Sequence, residues 1–540
     1  MSTLWTTPLG TLAVLIIGAS LLILYGRRLP DRWRVVVPAW LAALALILWI
    51  VLRFQAERPM SLWVWQAPLE LSAAFGYKLD GWVWLSGFGI SLLALTAVAL
   101  PGWRWRPGFV DPRHWSLLTA AFALLVALSD TWISLLVAWA LMTLFLGLAA
   151  GATSSSSAKA WSVGILSTLF LMGASLLNGV DSLNIALRGQ PLNAQAQLLV
   201  VLAATMQIGV YPFHLWLVPE TRRSPGRHLV IHLVPGLAAL HLLGVFDLAL
   251  LASQAWAPLA IVALLGSALA AWADPNRDRA WTYVLINRSV WAVLILGLTR
   301  LPAPVGAIFP LAVLALGGTL WAIARVSPYR SRWSVPHLLA AALFLGLPLT
   351  PGFVSNLVLG QLAGSIVGLP GLLLVLLAQI MLVAAMFRPT NTQVIEDADR
   401  SNGTSRFVTI TLVAAALLTV WWGIFPANLA NLAGYTPAEA FDSLLPLIQQ
   451  AGWTGWLILL LPIALGLPMA IFDERLFGAL RGWQMNLAYI TGLGWLYDGL
   501  GRIFLVVNTA IGSLSDLLDG AGQFGWVLLA ALVTWILLAG

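Results

Sequence analysis

The sequence predicts an all-α protein that crosses a membrane many times. Of its 540 residues, 60% are hydrophobic and only 9% are charged, whereas soluble domains carry about 25% charged residues. The apolar residues form continuous runs, and a helix of roughly 20 apolar residues spans the hydrocarbon of a bilayer. We count about sixteen such runs. The connections between them are too short to hold a soluble domain.

The runs follow one another along the chain as predicted membrane helices. Helix seven contains Pro212, and helix twelve is too long for one simple span and contains Pro348 and Pro351. A proline inside a helix removes a backbone hydrogen bond, so we predict that both helices are broken. The predicted helices cover residues 8–25, 35–52, 82–100, 115–129, 131–150, 160–178, 195–217, 228–246, 256–272, 281–299, 304–324, 336–366, 369–387, 406–425, 453–472 and 523–539.

The basic residues are distributed unequally between alternate loops. Of the 28 lysines and arginines, 22 fall in loops after odd-numbered helices and 5 in the opposite loops. Cytoplasmic loops carry an excess of basic residues, so we expect the N-terminus to lie outside. The first apolar run lacks a basic preceding region and is predicted to be a retained helix. We therefore expect a multi-pass protein of the inner (plasma) membrane.

Several classes of chemistry have no residues to support them. The chain contains no cysteine, which excludes disulfides and iron–sulfur ligation by this chain. No nucleotide loop, metal-ligand set or hydrolase triad is present, so we predict no cofactor, no metal and no catalytic residue. The net charge of +7 is explained by loop arginines, not by nucleic-acid binding. Asp274, Arg277, Asp278 and Arg279 form a mixed-charge turn that we expect to be solvated.

Titratable side chains concentrate in residues 203–246. Four of the six histidines lie there, including His214, His232 and His241. Histidine changes charge near pH 6.5 and suits proton relay inside a membrane. His232 and His241 are nine residues apart, about 13.5 Å along a helix, so they need an intervening group or water to communicate.

Two motifs carry a resemblance to a known family. Residues 211–217 form an aromatic-Pro-x-x-x-Trp-Leu pattern, and residues 346–355 resemble a Gly-x-Pro-Pro-x-x-Gly-Phe-x-Ser pattern. Both resemble the broken helices of the antiporter-like subunits of respiratory complex I, Mrp-type cation/proton antiporters and membrane-bound hydrogenases. Residues 75–81, the pair Arg279 and Tyr283, and the amphipathic stretch 495–520 extend the resemblance.

The resemblance implies a specific architecture. Helices four to eight and nine to thirteen would form two inverted five-helix repeats, with helices seven and twelve broken. The implied divisions are residues 1–114 for helices one to three, 115–246 and 256–387 for the two repeats, and 406–540 for the C-terminal helices with an amphipathic connection.

The family's charged residues are missing from this sequence. In the family the proton route uses a glutamate on helix five, lysines on helices seven and twelve, and a lysine or threonine on helix eight. The matching positions here are Ala140, Gln207, Ala238 and Asn356, all neutral. The resemblance therefore implies a divergent member whose central proton route is lost, with Gln207 and Asn356 satisfying backbone groups freed by the breaks. The alternative is a surviving relay through His214, His232 and His241.

Arg288 is the unusual charge of the predicted bundle. It lies within helix ten, and an arginine at the bilayer centre costs at least about 2.5 kcal/mol. It either reaches the membrane interface or helix-end carbonyls, or acts as a fixed positive charge in a polar axis. The candidate proton or ion path residues are thus His214, His232, His241, Gln207, Arg288 and Asn356.

The function implied by the resemblance is that of a membrane-arm subunit in a complex I-like, proton- or cation-translocating complex of a respiratory chain. Its partners would be other subunits and the lipid bilayer. Catalysis, as in an NADH:quinone oxidoreductase-like translocase, would belong to the whole complex. Two alternatives stay open: a membrane partner in inorganic-carbon uptake or sodium/proton antiport, and a purely structural membrane subunit.

Overall fold

The fold is an α-helical bundle, described here from a computed structural model. Most of the apolar helices predicted above fall within the part of the chain that the structure describes. That part comprises residues 8–54, 58–66, 72–103, 110–151, 155–179, 186–188, 190–218, 224–246, 248, 250–251, 256–298, 303–326, 331–357, 359, 367–388, 402–436, 449, 452–499, 501–503, 505–506 and 509.

Twelve helices of the described part are long and apolar enough to cross a membrane, and three shorter helices are also apolar. The chain is thus a multi-pass membrane protein, and these helices match the first fifteen predicted ones. The sixteenth, 523–539, lies outside the described residues.

The labelled helices of the described part, including three short ones that are not counted above, are α1 Pro8–Tyr25, α2 Asp31–Val51, α3 Gly81–Ala99, α4 Pro112–Leu128, α5 Trp132–Ala149, α6 Ser155–Leu177, α7 Ala194–Ile208, α8 Pro225–Val245, α9 Trp256–Ala273, α10 Arg277–Leu298, α11 Ala303–Ala324, α12 Val335–Leu345, α13 Gly368–Phe387, α14 Asn402–Ile424, α15 Pro426–Leu432, α16 Gly452–Ile471, α17 Asp473–Phe477 and α18 Arg481–Thr491.

Polar side chains fix where several of these helices begin. Asp80 accepts a hydrogen bond from Val83 N at 3.0 Å at the start of α3, and Asn193 accepts one from Ala196 N at 2.8 Å at the start of α7. Such caps satisfy backbone donors that a helix leaves free at its first turn. The helix boundaries are therefore set by local sequence as well as by hydrophobic length.

Four helices form the centre of the bundle. Helices α3, α10 and α11 are buried along their whole apolar windows, and α8 is nearly so. Around them, α1, α2, α6, α14 and α16 expose apolar side chains such as Leu24 and Leu417. Outward-facing leucines on peripheral helices are the surface that lipid covers. The polar side chains buried in the central helices are consequently shielded from that surface.

A β-hairpin precedes α3, where the sequence analysis predicted no strand. β1 (Arg58–Gln66) pairs antiparallel with β2 (Ser72–Leu79). Aromatic and β-branched residues favour strands, and β1 contains Trp63, Val64 and Trp65. The sequence therefore did contain a local indication of the hairpin. The segment is bounded by two helices and is too polar for a further span, which is why hydropathy alone did not identify it.

The mixed-charge turn before α10 is not simply solvated, which corrects the expectation from sequence. Asp274 is buried and pairs with Arg279 at 2.9 Å, while Asp278 pairs at 2.5 Å with Arg325, the residue that follows α11. Burial raises the pKa of the Asp274 carboxyl, an effect that Arg279 and Arg388 oppose. These contacts join the ends of neighbouring helices, which the sequence spacing did not indicate.

The segment after α16 packs back against the broken helix seven. Tyr211 Oη donates to Thr491 O and Tyr497 Oη donates to Pro212 O, both at 2.9 Å. Residues 494–499, in the predicted amphipathic stretch, are helical. The rest of that stretch from residue 510 onward lies outside the described residues. The C-terminal connection therefore contacts the first helix break directly.

Candidate functional site

The first helix break begins at a glycine, before the proline. Helix α7 ends at Ile208, and Gly209 adopts a left-handed conformation with φ of 73°. Gly209 N donates to Met206 O at 3.1 Å, and Val210 N donates to Thr205 O at 3.0 Å. This pair of bonds is a Schellman cap, which requires a residue that tolerates positive φ. Pro212, to which the break was attributed from sequence, follows three residues later.

The second break has the same geometry. Helix α12 ends at Leu345, and Gly346 has a φ of 66°. Gly346 N donates to Leu343 O at 3.2 Å, and Leu347 N donates to Ala342 O at 2.8 Å. Pro348 and Pro351 lie in the irregular segment that follows, and helical structure resumes at residues 352–357. Both breaks therefore interrupt an apolar helix with one shared hydrogen-bond pattern.

Asn356 is tied to the second break. Its Nδ2 donates to Leu345 O at 2.5 Å, and its Oδ1 accepts from Trp291 Nε1 at 2.7 Å. The first contact satisfies the last carbonyl of α12, as expected for an amide beside a broken helix. Asn356 thus bridges α10 to the broken helix.

Gln207 is buried beside the first break but makes no corresponding contact. Neither its amide nitrogen nor its amide oxygen has a hydrogen-bond partner among the described residues. The carbonyl of Met206 is satisfied by Trp216 Nε1 at 3.2 Å instead. The expectation that Gln207 caps freed backbone groups therefore has no support in this geometry. Buried amides without partners commonly hold ordered water.

The three candidate histidines have separate surroundings. His214 stacks on Tyr211, with ring centroids 4.8 Å apart. His232 Nε2 lies 3.2 Å from Ser289 Oγ of α10. His241 Nδ1 lies 2.8 Å from Ser86 Oγ of α3. No hydrogen bond or ring contact within the described residues joins one of these histidines to another, so a relay would need intervening water.

Arg288 is fully buried at the meeting point of α9, α10, α12 and α13. Its Nη1 donates to Phe344 O at 2.6 Å, at the end of α12. Its Nη2 donates to Asn287 Oδ1 at 2.6 Å and to Gln379 Oε1 of α13 at 3.0 Å. Its Nε donates to Asn287 Oδ1 at 3.2 Å. The bond to a helix-end carbonyl, which belongs to the first of the two alternatives from sequence, is present, and the side chain is fully buried.

Sequence reasoning missed the partners that hold Arg288. Asn287 Nδ2 donates to Leu264 O at 2.8 Å and to Ser267 Oγ at 3.0 Å, which orients its oxygen toward the guanidinium. The signal was available, because Asn287 and Gln379 are amides inside strongly apolar helices. Their convergence on one arginine depends on helix packing and could not be inferred from spacing.

Two of the positions that carry charge in the resembled family are alanines in different environments. Ala140 lies on the exposed face of α5, and Ala238 is buried in α8. Neither side chain can bind or release a proton. In the described part of the chain, no group of three or more His, Asp or Glu side chains is placed to hold a metal ion.

The fold recurs in two solved membrane complexes. A chain of the Mrp complex from Dietzia sp. DQ12-45-1b superposes with a TM-score of 0.75 and 17% identity, over 98% of this chain and 62% of that longer one. A chain of the membrane-bound sulfane sulfur reductase, an archaeal respiratory membrane complex, superposes with a TM-score of 0.68 and 16% identity, over 98% of this chain and 99% of its own length. No family model and no curated protein matches the sequence. This chain therefore shares its fold with chains of these two membrane complexes.

Proposed function

We propose that this chain is a membrane subunit of a multisubunit complex I-like, cation-translocating complex, and that the central proton route of its fold is lost. The observation that carries the proposal is that both helix breaks are present while Gln207 and Asn356, which stand where the resembled family has lysines, are neutral. The backbone geometry of a transporter is retained, while Gln207 and Asn356 occupy the break positions. A neutral amide can hold water, but it does not take up and release a proton near neutral pH.

The two breaks also support the proposed internal organisation. Residues 115–246 and 256–387 would form two inverted five-helix repeats, each with one broken helix closed by a glycine cap. Inverted repeats with discontinuous helices are a common design in membrane transporters. Residues 1–114 and 406–540 would flank them, with the N-terminus outside the inner (plasma) membrane.

Partner subunits would supply what this chain lacks. It has no cysteine for iron–sulfur ligation, so electron transfer through such clusters would require other chains. Purification of the full-length chain from its native membrane in mild detergent should retain further membrane subunits. A chain that purifies alone and translocates ions by itself would contradict the proposal.

The loss of the central route is tested by a change at the first break. Gln207→Ala in the intact complex should leave proton transport nearly unchanged, because the amide carries no titrating proton. His232→Ala is the comparison variant, since it removes a candidate relay histidine, which lies beside Ser289. Transport is measured in inverted vesicles with a pH-sensitive dye. Loss of transport in Gln207→Ala with assembly intact would show that the amide orders a water chain used by protons.

A further inference from the structure

The environment of Arg288 supplies hydrogen bonds but no counter-charge. Four of its five N–H donors are used, one on Nε, one on Nη1 and two on Nη2, and each acceptor is a neutral oxygen. The guanidinium is therefore held in place by the protein through four of its five donors. A positive charge held only by carbonyl and amide oxygens keeps its long-range field.

The sequence around Arg288 contains no acid that could neutralise it. No Asp or Glu occurs between residues 279 and 395, and none occurs in α8 or α9. The acid nearest along α10 is Asp278, ten residues away, or about 15 Å along the helix. Asp278 is itself paired with Arg325 at the helix end. Among the described residues no carboxylate pairs with Arg288, which is fully buried in the bundle.

The charge lies at the second helix break. Phe344 O, which accepts from Arg288, belongs to the last turn of α12. The C-terminal end of a helix carries partial negative charge and stabilises a cation there. An arginine stays protonated in proteins, unlike a buried lysine. The fixed positive field therefore acts on any ion that approaches the irregular segment after Leu345.

We propose that Arg288 is a specificity-determining residue that excludes cations from the second helix break. At an effective dielectric constant of about 20, a monovalent cation roughly 8 Å away would be about 30-fold less populated than without the charge. Pores that admit water use an arginine or a positive helix end in the same way to exclude protons and other cations. Any cation path through the chain is then restricted to the remainder of the bundle. The inference rests on the proposed function, because a barrier matters only in a cation-translocating subunit.

The test measures passive cation leak through the full-length chain in liposomes. A potassium diffusion potential drives proton entry, followed with an internal pH dye, and sodium entry is followed with a radiotracer. Arg288→Gln, which removes the positive charge, should raise the leak about tenfold or more.

A second variant neutralises the field without removing the arginine. Gln379 Oε1 already lies 3.0 Å from Arg288 Nη2, so Gln379→Glu places a carboxylate of nearly the same shape against the guanidinium. This change should raise the passive cation leak as Arg288→Gln does. It still tests the inference if the Arg288→Gln variant does not fold. Arg325→Gln is the control, because it removes an arginine at the helix end and should leave the leak unchanged.

Two results would overturn the inference. One is a wild-type leak in Gln379→Glu and in Arg288→Gln, or in Gln379→Glu alone where Arg288→Gln does not elute as a folded protein. The other is a wild-type leak in Gln379→Glu with a raised leak in Arg288→Gln, which would show that side-chain shape matters and charge does not. Neither result depends on partner subunits, so a failure of the proposed assembly would be seen separately, in the co-purification experiment.

Discussion

At the scale of single residues, Gln207 and Asn356 show how two similar amides can have different roles. Both are buried next to a helix break. Asn356 connects the last carbonyl of α12 to the indole of Trp291, while Gln207 has no partner among the described residues. Removing one partner of a buried hydrogen bond leaves the other partner unsatisfied. Removing an amide that has no partner leaves no donor or acceptor of the protein unsatisfied.

The two amides therefore predict opposite effects on stability. Asn356→Leu leaves both Leu345 O and Trp291 Nε1 without a partner and should lower the free energy of unfolding by about 2 kcal/mol or more. Gln207→Leu should leave it unchanged or raise it. The apparent unfolding temperature in detergent measures both. A clear loss of stability in Gln207→Leu would mean that its amide binds ordered water, and equal stability of both variants would contradict the contacts of Asn356.

At the scale of elements, the two breaks depend on one glycine each. Gly209 and Gly346 both have positive φ and close a Schellman cap. A Cβ atom at Gly209 would overlap Cδ1 of Leu217, and one at Gly346 would overlap Asn356 and the carbonyl of Gly352. The left-handed backbone and the close contacts both disfavour any residue with a Cβ atom at these two positions. The two glycines therefore determine where the helices end.

We therefore predict that Gly209→Ala and Gly346→Ala each destabilise the protein by at least about 1 kcal/mol, which is the scale of the cost of a left-handed residue. Gly478→Ala is the matched control, because Gly478 has a φ of −57° and an added Cβ has open space. Thermal unfolding in detergent should separate the first two variants from the control. Three variants of equal stability would show that the caps are not required for the breaks.

At the scale of the whole molecule, the bundle separates a buried polar interior from an apolar exterior. The fully buried helices α3, α10 and α11 carry many of the buried polar groups, including Arg288, Ser289 and Ser86. The peripheral helices carry the exposed leucines. A pattern of buried polar and exposed apolar side chains is the same for either direction of insertion. The distribution of basic residues is the feature from which we predict the orientation.

The predicted orientation is tested with topology reporters. Because 22 of the 28 basic residues fall in the loops after odd-numbered predicted helices, a reporter fused after Arg34 should be cytoplasmic and one placed near Glu439 should be external. Alkaline phosphatase and a fluorescent protein give complementary signals at the two sites. The reverse signal at either site would invalidate the orientation or the helix count.

The sequence by itself determined the fold class, the membrane environment, the approximate helix boundaries and the existence of both breaks. Hydrophobic length and proline content are local properties of the sequence, so their effects do not depend on which helices pack together. The hairpin at Arg58–Leu79 was missed because its strands are too short and too polar to register in hydropathy. The break in helix seven was predicted from Pro212, but the cap that ends the helix is formed at Gly209. The left-handed conformation of Gly209 cannot be inferred from sequence spacing.

Only the tertiary structure decided what the candidate residues contact. Asn287, Gln379 and Phe344 lie on three different helices, and only packing brings their oxygens to Arg288. Likewise, His214, His232 and His241 share one stretch of sequence, yet they face Tyr211, Ser289 and Ser86 in separate places. A helix turns about 100° per residue, so neighbours in sequence point in different directions. The partner of a buried polar group is therefore set by which helices meet, and that is a property of the whole bundle.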